Sequence, residues 1–577
     1  MRRQIYMKKL QSFLNDGETI KSLMYNAKEN YPTNAAFKVK VDGEIKTITF
    51  LQMIKDVESL GTELFARGFD GKRIGIIGEN SYEWFNCFLS VVCGGNVAVP
   101  FDKGLTAEEL VQCVERSEIK ALFYDEKHKA LVEKIKEQCS AELEIFSITG
   151  DNNNLDEMKN SGSIKMNAGD RSYLDKDVKK SDLAVFLFTS GTTSMSKVVM
   201  LSHYNISSNI TDMLQMKIFY PNDVNMAFLP FHHSFGLVGC LVFLSSASAN
   251  VFCDGLKYVA KNLEEYGVTV FVGVPLIVEN LYGKIMKQVE KQGMMKKIET
   301  GLKLASALDK VGIHVRRKIF SPIIEKLGGH LRLIICGAAS LSKDVAAGLN
   351  NFGISTIQGY GLTETSPVLT AERPWALCAG SVGTPMKSVR IYIDNPDKNG
   401  IGEIVAWGPN VMQGYFNQKE ATDEVIKDGW FFTGDLGRID AKGNLWICGR
   451  KKNVIVMKNG KNIFPEELES LIDKLPYVVE SMIFTREKHN ELVLWCNVVY
   501  DEEYLEQKKI GEEELSAQFS KDLSVINDTL PSYKYINHFI MTDTPMIKTT
   551  TQKIKRNPAI KAIDENWEEI NKYNVEP

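Results

Sequence analysis

No two of the ten cysteines stand as a C-x-x-C pair; they are scattered from Cys87 to Cys496. That spacing argues against structural zinc and against a disulfide framework. Cys240, Cys253, Cys336 and Cys496 sit in apolar runs, where reduced, buried thiols are expected. A dominant charge is lacking too. With 69 Lys+Arg against 73 Asp+Glu the formal net charge is -4, too small to draw the whole chain to nucleic acid or anionic lipid. There is no uninterrupted apolar twenty-mer, no internal repeat and no low-complexity tract. The segment 224–253 carries no Asp, Glu, Lys or Arg, but Pro230, His232, His233 and Asn250 interrupt it. It reads as a buried strand–loop–helix and not as a membrane span. The stretch Met1 to Met7 is basic and lacks the apolar centre of a secretory signal. The expectation is a cytoplasmic protein without a transmembrane span or a nucleic-acid partner.

What is present points to a layered enzyme-sized chain. At 577 residues it is too long for one compact core, so several lobes are expected. Short apolar runs alternate with longer amphipathic segments. Residues 73–78, 121–124, 184–188, 268–272 and 331–335 read as strands covered on both faces, and 81–92 reads as a helix. The alternation predicts an α/β fold with largely parallel sheets. From about residue 380, Gly- and Pro-rich segments with brief strands at 389–393 and 402–407 predict a smaller β-rich lobe. Gly449-Arg-Lys-Lys-Asn453 interrupts two apolar runs, 445–447 and 454–457, and marks a hinge. The expected domains are 1–449, the large N-terminal domain; 450–452, the hinge; and 453–577, a mobile α+β C-terminal domain.

The strongest local signal follows the run 184–188. Thr189, Ser190, Gly191, Thr192, Thr193, Ser194, Met195, Ser196 and Lys197 place hydroxyls, one glycine and one lysine on a post-strand loop. Such a loop offers donors to polyanionic oxygens, and Lys197 is a flexible point charge for phosphate. The second glycine and the Lys-Ser/Thr pair of a Walker A loop are missing. On these residues alone a solvated loop is nearly as good a reading. Farther on, Gln358 to Pro367 follows a strand-like 354–357. Gly359 and Gly361 let backbone approach a planar ring, Tyr360 can stack on it, and Thr363 and Glu364 add a hydroxyl and a carboxylate. Magnesium takes hard oxygen ligands and bridges phosphates, work suited to Glu364. Trp430-Phe-Phe-Thr-Gly-Asp435 places a carboxylate where it could accept from ribose hydroxyls, although Asp after Gly is more often a turn residue. The adjacent His232 and His233 do not normally share a face and have no spaced partner ligands, which argues against a metal site.

Taken in order over nearly the whole chain, these segments resemble the adenylate-forming superfamily of acyl-CoA synthetases, firefly luciferase and nonribosomal-peptide adenylation domains. The loop 189–197 is similar to the family's pyrophosphate loop, which implies that Thr189, Ser190, Gly191, Thr192, Thr193 and Lys197 hold ATP phosphates. Residues 229–236 resemble its histidine–aromatic motif, with His233 at the family's histidine. Residues 336–340 and 358–367 resemble the adenine and α-phosphate segments. They imply nucleotide contacts from Gly337, Ala338, Ala339, Gln358, Gly359, Tyr360, Gly361 and Thr363, and a Mg2+ site at Glu364 with Thr189. Residues 402–415 and 433–435 match the next two motifs. Asp435 and Arg450 would then fix the ribose, with Ile447 beside the nucleotide. Lys452 falls at the family's pivot, Lys553 at its catalytic lysine, and Gly460 and Lys461 at the wall of a thiol tunnel. The resemblance implies ATP, Mg2+ and coenzyme A, and a C-terminal domain that rotates between two half-reactions.

Two departures stand out. Ser194, Met195, Ser196, Lys197 and Val198 replace Gly-x-Pro-Lys-Gly, and loss of both glycines narrows the freedom of a loop that must close over ATP. Gln552 replaces the glycine before the lysine. The layout of 274–331 resembles bacterial long-chain fatty acyl-CoA synthetases, so a medium- to long-chain fatty acid is the implied substrate. Two alternatives stay open: a carrier-protein phosphopantetheine as acceptor, and a degenerate acyl- or nucleotide-binding sensor. Between Lys284 and Lys326 there are eleven Lys/Arg and four Asp/Glu. That excess is either a solvated helix face or a surface drawn to anionic lipid at the inner membrane face.

Overall fold

The computed structural model describes residues 18–140, 142–149, 154–189, 196–457, 461–488, 491–548 and 553–566. Two large sheets carry the N-terminal part. In the first, Val97–Pro100, Arg73–Ile77, Ala121–Tyr124 and Glu144–Ser147 run parallel, and Leu183–Thr189 joins them before a hairpin to Lys197–Ser202. In the second, Ser355–Gly361, Leu333–Cys336, Val270–Gly273, Val224–Ala227, Ala249–Phe252 and Ala35–Val41 are parallel neighbours. Both sheets read in sequence as apolar runs because their strands are covered on both faces; Ala121–Tyr124 and Val270–Gly273 are buried at every position.

Helices fill the space against these sheets, and one apolar cluster draws on both, from Ile74 and Val185 to Val270 and Ile357. The helix Tyr82–Cys93 begins where the Ser81 side chain accepts from the Trp84 N–H at 3.1 Å, and it stops before Gly95, whose φ is +74°. The segment 224–253 forms the expected strand, loop and helix, the last being Ser234–Ser245, and adds a second strand, Ala249–Phe252, beyond that expectation. No helix among the described residues is long and apolar enough to cross a membrane. All ten cysteines are free thiols.

The β-rich lobe is antiparallel: Arg390–Asp394, Gly402–Trp407, Trp430–Ile439 and Leu445–Arg450 pair in turn. A short turn, Lys451–Asn453, then leads into the C-terminal α/β unit. There Val478–Lys488 and Glu491–Tyr500 are antiparallel, Ile536–Thr542 adds in parallel, and the helices Pro465–Ile472 and Glu512–Asp528 close the core. In the basic segment the nine lysines are exposed. Arg316 instead bonds Asp309 at 2.7 Å and Asn351 at 2.8 Å, and Arg317 donates to the Leu331 carbonyl at 2.7 Å. Part of the positive excess therefore holds helices together.

Candidate active site

A cleft of 3400 Å³ runs between the N-terminal sheets, the β-rich lobe and the C-terminal unit. Single-ligand pockets span roughly 300–1,000 Å³, so this space can hold several reactants at once. Every predicted site residue among the described ones lines it. Ser190, Gly191, Thr192, Thr193 and Gly460 lie outside the described residues, as does Gln552.

The strands Leu183–Thr189 and Lys197–Ser202 place Thr189 directly opposite Lys197 at the end of their hairpin. The Lys197 ammonium lies 4.5 Å from the centre of the Tyr415 ring, close enough for cation–π attraction. Tyr415 arrives on the short strand Gly414–Tyr415, which pairs with Lys197–Ser202. Its hydroxyl donates to Glu364 Oε1 at 3.0 Å. Burial raises the Glu364 carboxyl above its usual range, against the hydrogen bond it accepts from Tyr415. Gly361 is required where the chain folds back toward this carboxylate: a Cβ there would sit 1.8 Å from the Pro367 carbonyl oxygen.

Across the cleft, Asp435 and Arg450 face each other in register on neighbouring strands, with Nε 3.1 Å from Oδ1. The Tyr360 hydroxyl donates to Asp435 Oδ2 at 2.8 Å, and the Asp435 N–H donates to the Thr433 hydroxyl oxygen at 3.1 Å. Burial raises the Asp435 carboxyl, while Arg450 and Tyr360 pull it down. Tyr360 thus offers its ring to the cleft while its hydroxyl fixes the carboxylate. Gln358 serves as a brace: its Oε1 accepts from the Leu341 N–H at 3.0 Å and ties the loop 337–341 to the sheet. In that loop Ala338 holds φ +71°, a left-handed backbone that costs a non-glycine residue about 1 kcal/mol.

His233 caps the helix Ser234–Ser245, with its ring centre 4.2 Å from that of His232. Burial, then His232, pushes its pKa down to about 3, so it is a neutral imidazole at ordinary pH. Lys553 reaches into the cleft from the C-terminal unit, where water touches it but protein surrounds it. That enclosure, then Arg450, lowers its pKa, while Asp435 and Glu364 pull it back up. Lys452 is lowered by burial and by Arg450. Lys461 lies 4.1 Å from the Tyr533 ring centre at the cleft wall.

Three features escaped the sequence. Tyr415, which links Lys197 to Glu364, ends the matched segment 402–415 but was not singled out. The ion pair between Lys451 and Glu403, 2.7 Å, joins the turn Lys451–Asn453 to the β-rich lobe and has no local signature. Val198 corrects an expectation: it is not loop but strand, paired with Phe188 and 1% exposed within an apolar cluster. A glycine there would not restore loop freedom. Val198→Gly is expected to lose about 3 kcal/mol of stability, from a buried valine and a strand-interior glycine. Urea unfolding monitored by tryptophan fluorescence checks this; an unchanged midpoint would return Val198 to the loop.

Glu364 and Thr189 both line the cleft and carry oxygen donors of the kind a hard cation takes. Among the described residues there is no cluster of three or more His, Cys, Asp or Glu side chains that would cage a metal. An ion there would take its other ligands from phosphate and water, which is how magnesium is usually held.

A hydroxyl-and-lysine corner, a carboxylate–arginine pair, and a lysine carried by the C-terminal unit line one cleft, the arrangement expected of an adenylate-forming enzyme. Residues 25–416 match the AMP-binding enzyme family and residues 452–573 match the AMP-binding enzyme C-terminal domain, so the chain belongs to the AMP-binding enzyme family. Over 463 residues it is 31% identical to long-chain-fatty-acid–CoA ligase 5 of Rattus norvegicus, covering 74% of this chain and 68% of that protein. It is 25% identical over 493 residues to long-chain-fatty-acid–CoA ligase FadD15 of Mycobacterium tuberculosis, with 82% and 80% covered. ATP-bound MatB from Rhodopseudomonas palustris superposes with a TM-score of 0.74 at 25% identity, covering 95% of this chain and 100% of that one. The Mycobacterium tuberculosis fatty acyl CoA synthetase shares the fold, with a TM-score of 0.66 at 21% identity over 95% and 99%.

Proposed function

We propose that this enzyme activates a medium- to long-chain fatty acid with ATP and then transfers the acyl group to the thiol of coenzyme A. The observation that carries the reading is the apolar arm of the cleft. Met213, Met216, Phe219, Val238, Val242 and Phe243 line it. An aliphatic chain buried there gains about 0.8 kcal/mol per methylene. The relatives named as long-chain fatty acid–CoA ligases support the same substrate class.

In the first step a carboxylate oxygen attacks the α-phosphorus of ATP. An O–P bond forms, the bond to the bridging oxygen breaks, and pyrophosphate leaves with its electron pair. Lys553 would draw the two anions together and stabilise charge on the α-phosphate; Lys197 and Thr189 would hold the departing phosphates. Mg2+ on Glu364 and Thr189 would neutralise phosphate charge. Asp435, kept in place by Tyr360 and Arg450, would accept from the ribose hydroxyls. His233, being neutral, can lie beside the acyl carboxylate without contributing a second charge. In the second step the sulfur of coenzyme A attacks the acyl carbonyl carbon, the bond to AMP breaks, and the thiol proton passes to solvent. Lys452 is the proposed pivot for the intervening rotation, and Gly460 with Lys461 the proposed wall of the thiol path.

The test is AMP release across saturated acids from acetate to palmitate, with and without coenzyme A. Turnover that rises with chain length and needs coenzyme A is the expected result. Acid-dependent pyrophosphate exchange that coenzyme A fails to discharge would point to a carrier-protein thiol, and no exchange with any acid would remove the reading.

A further inference from the structure

The helix Ser234–Ser245 contains one position that packs against nothing. From residue 236 to residue 250 every residue is buried except Gly239. Beyond its chain neighbours and the nearby backbone of its own helix, a Cβ built on Gly239 would have no atom within 4 Å, whereas one on Gly236 of the same helix would lie 2.4 Å from the Pro230 carbonyl oxygen. Gly236 is therefore demanded by close packing, and Gly239 is not. Nor does backbone conformation demand it, because Gly239 sits inside a helix, where glycine is less stable than alanine. Protein interiors are otherwise filled to the density of organic crystals. The remaining use for a glycine here is the space it leaves.

That space belongs to the cleft. Gly239 lines it together with Phe235, Val242 and Phe243, which are the positions four before, three after and four after it and so share its helix face. The face starts at His233, the N-cap. At 1.5 Å per residue, Gly239 stands about 9 Å along the helix and Phe243 about 15 Å. At the far end Phe243 meets Phe219 edge to face, with ring centres 5.3 Å apart.

We propose that Gly239 sets the bore of the acyl arm and so selects for chain length: an acyl chain whose carboxylate lies by His233 passes over Gly239 at roughly its seventh carbon. The inference rests on the fatty-acid reading above. Acids of six carbons or fewer end before this point, and longer acids must use the space that a side chain would fill.

The experiment measures kcat/KM for acid-dependent AMP release from four to sixteen carbons in the wild type, Gly239→Ala, Gly239→Leu and Gly239→Phe, with thermal unfolding of each. Gly239→Phe is expected to lower kcat/KM about a hundredfold for acids of ten carbons or more, while acids of four to six carbons stay within about threefold. Gly239→Leu should show the same crossover more weakly, and Gly239→Ala should be at least as stable as the wild type. If long chains are used as well by Gly239→Phe as by the wild type, or if all lengths fall together in both bulky variants, the bore is not at Gly239 and the fatty-acid reading survives. If the wild type itself shows no preference for longer aliphatic acids, the fatty-acid reading falls first and this inference with it.

Discussion

Lys553→Ala is expected to slow acyl-adenylate formation by roughly a thousandfold while leaving transfer from a supplied acyl-adenylate to coenzyme A largely intact. Only the first half-reaction needs a cation between two approaching anions. Lys553 is the cation proposed for that place, in a site where Arg450, Lys452, Asp435 and Glu364 act on its charge. Pyrophosphate exchange reads the first step, and thioester release from synthetic acyl-adenylate reads the second. Equal loss in both would remove the assignment and point to a folding defect. The pH dependence carries a sign. Burial sets the Lys553 pKa below the ordinary lysine value, so the ammonium, and the adenylation it supports, is complete below that lowered pKa. Both are lost as pH rises through it. The alkaline limb of the adenylation profile should vanish in the alanine variant. His233, with its pKa down at about 3, contributes no limb between neutral and mildly acidic pH.

The second large effect is expected from Lys197→Met, which keeps most of the side-chain length and removes the charge. Single-turnover adenylation should slow by a factor on the order of a hundred, typical of losing one donor to charge that builds on the leaving group. The loss of cation–π attraction to Tyr415 should cost stability no more than about 1 kcal/mol, so unfolding should barely move. Rapid-quench measurement of acyl-adenylate in one turnover separates chemistry from product release. An unchanged rate would show that Lys197 does not clamp pyrophosphate, and the sensor reading would gain.

The sheets were legible because their physics is local. Strands covered on both faces must be apolar at successive positions, and 121–124 was bounded to the residue on that ground. The same rule, applied to Lys197-Val-Val-Met-Leu201, would have placed Val198 in a strand; the resemblance to a glycine-containing loop pulled it the other way. Tyr415 was harder. It bonds Glu364 across 51 positions of sequence, and no local pattern distinguishes a tyrosine that bridges a lysine and a carboxylate from one that fills a core. Gly239 was illegible for a related reason: in sequence, a helix glycine reads as a weak point.

By itself the sequence determined the α/β alternation, the β-rich lobe, a break between structural units near Lys452 and an ordered set of hydroxyl, carboxylate and lysine motifs, because period, burial and turn chemistry act over a few residues. Only the tertiary structure decided that Lys553 of the C-terminal unit lines one cleft with Asp435 and Glu364 and feels their charge, that Tyr415 couples Lys197 to Glu364, and that the space beside Gly239 opens into the same cleft. Those meetings depend on how distant segments pack in three dimensions, and each residue's neighbours in sequence carry no trace of them.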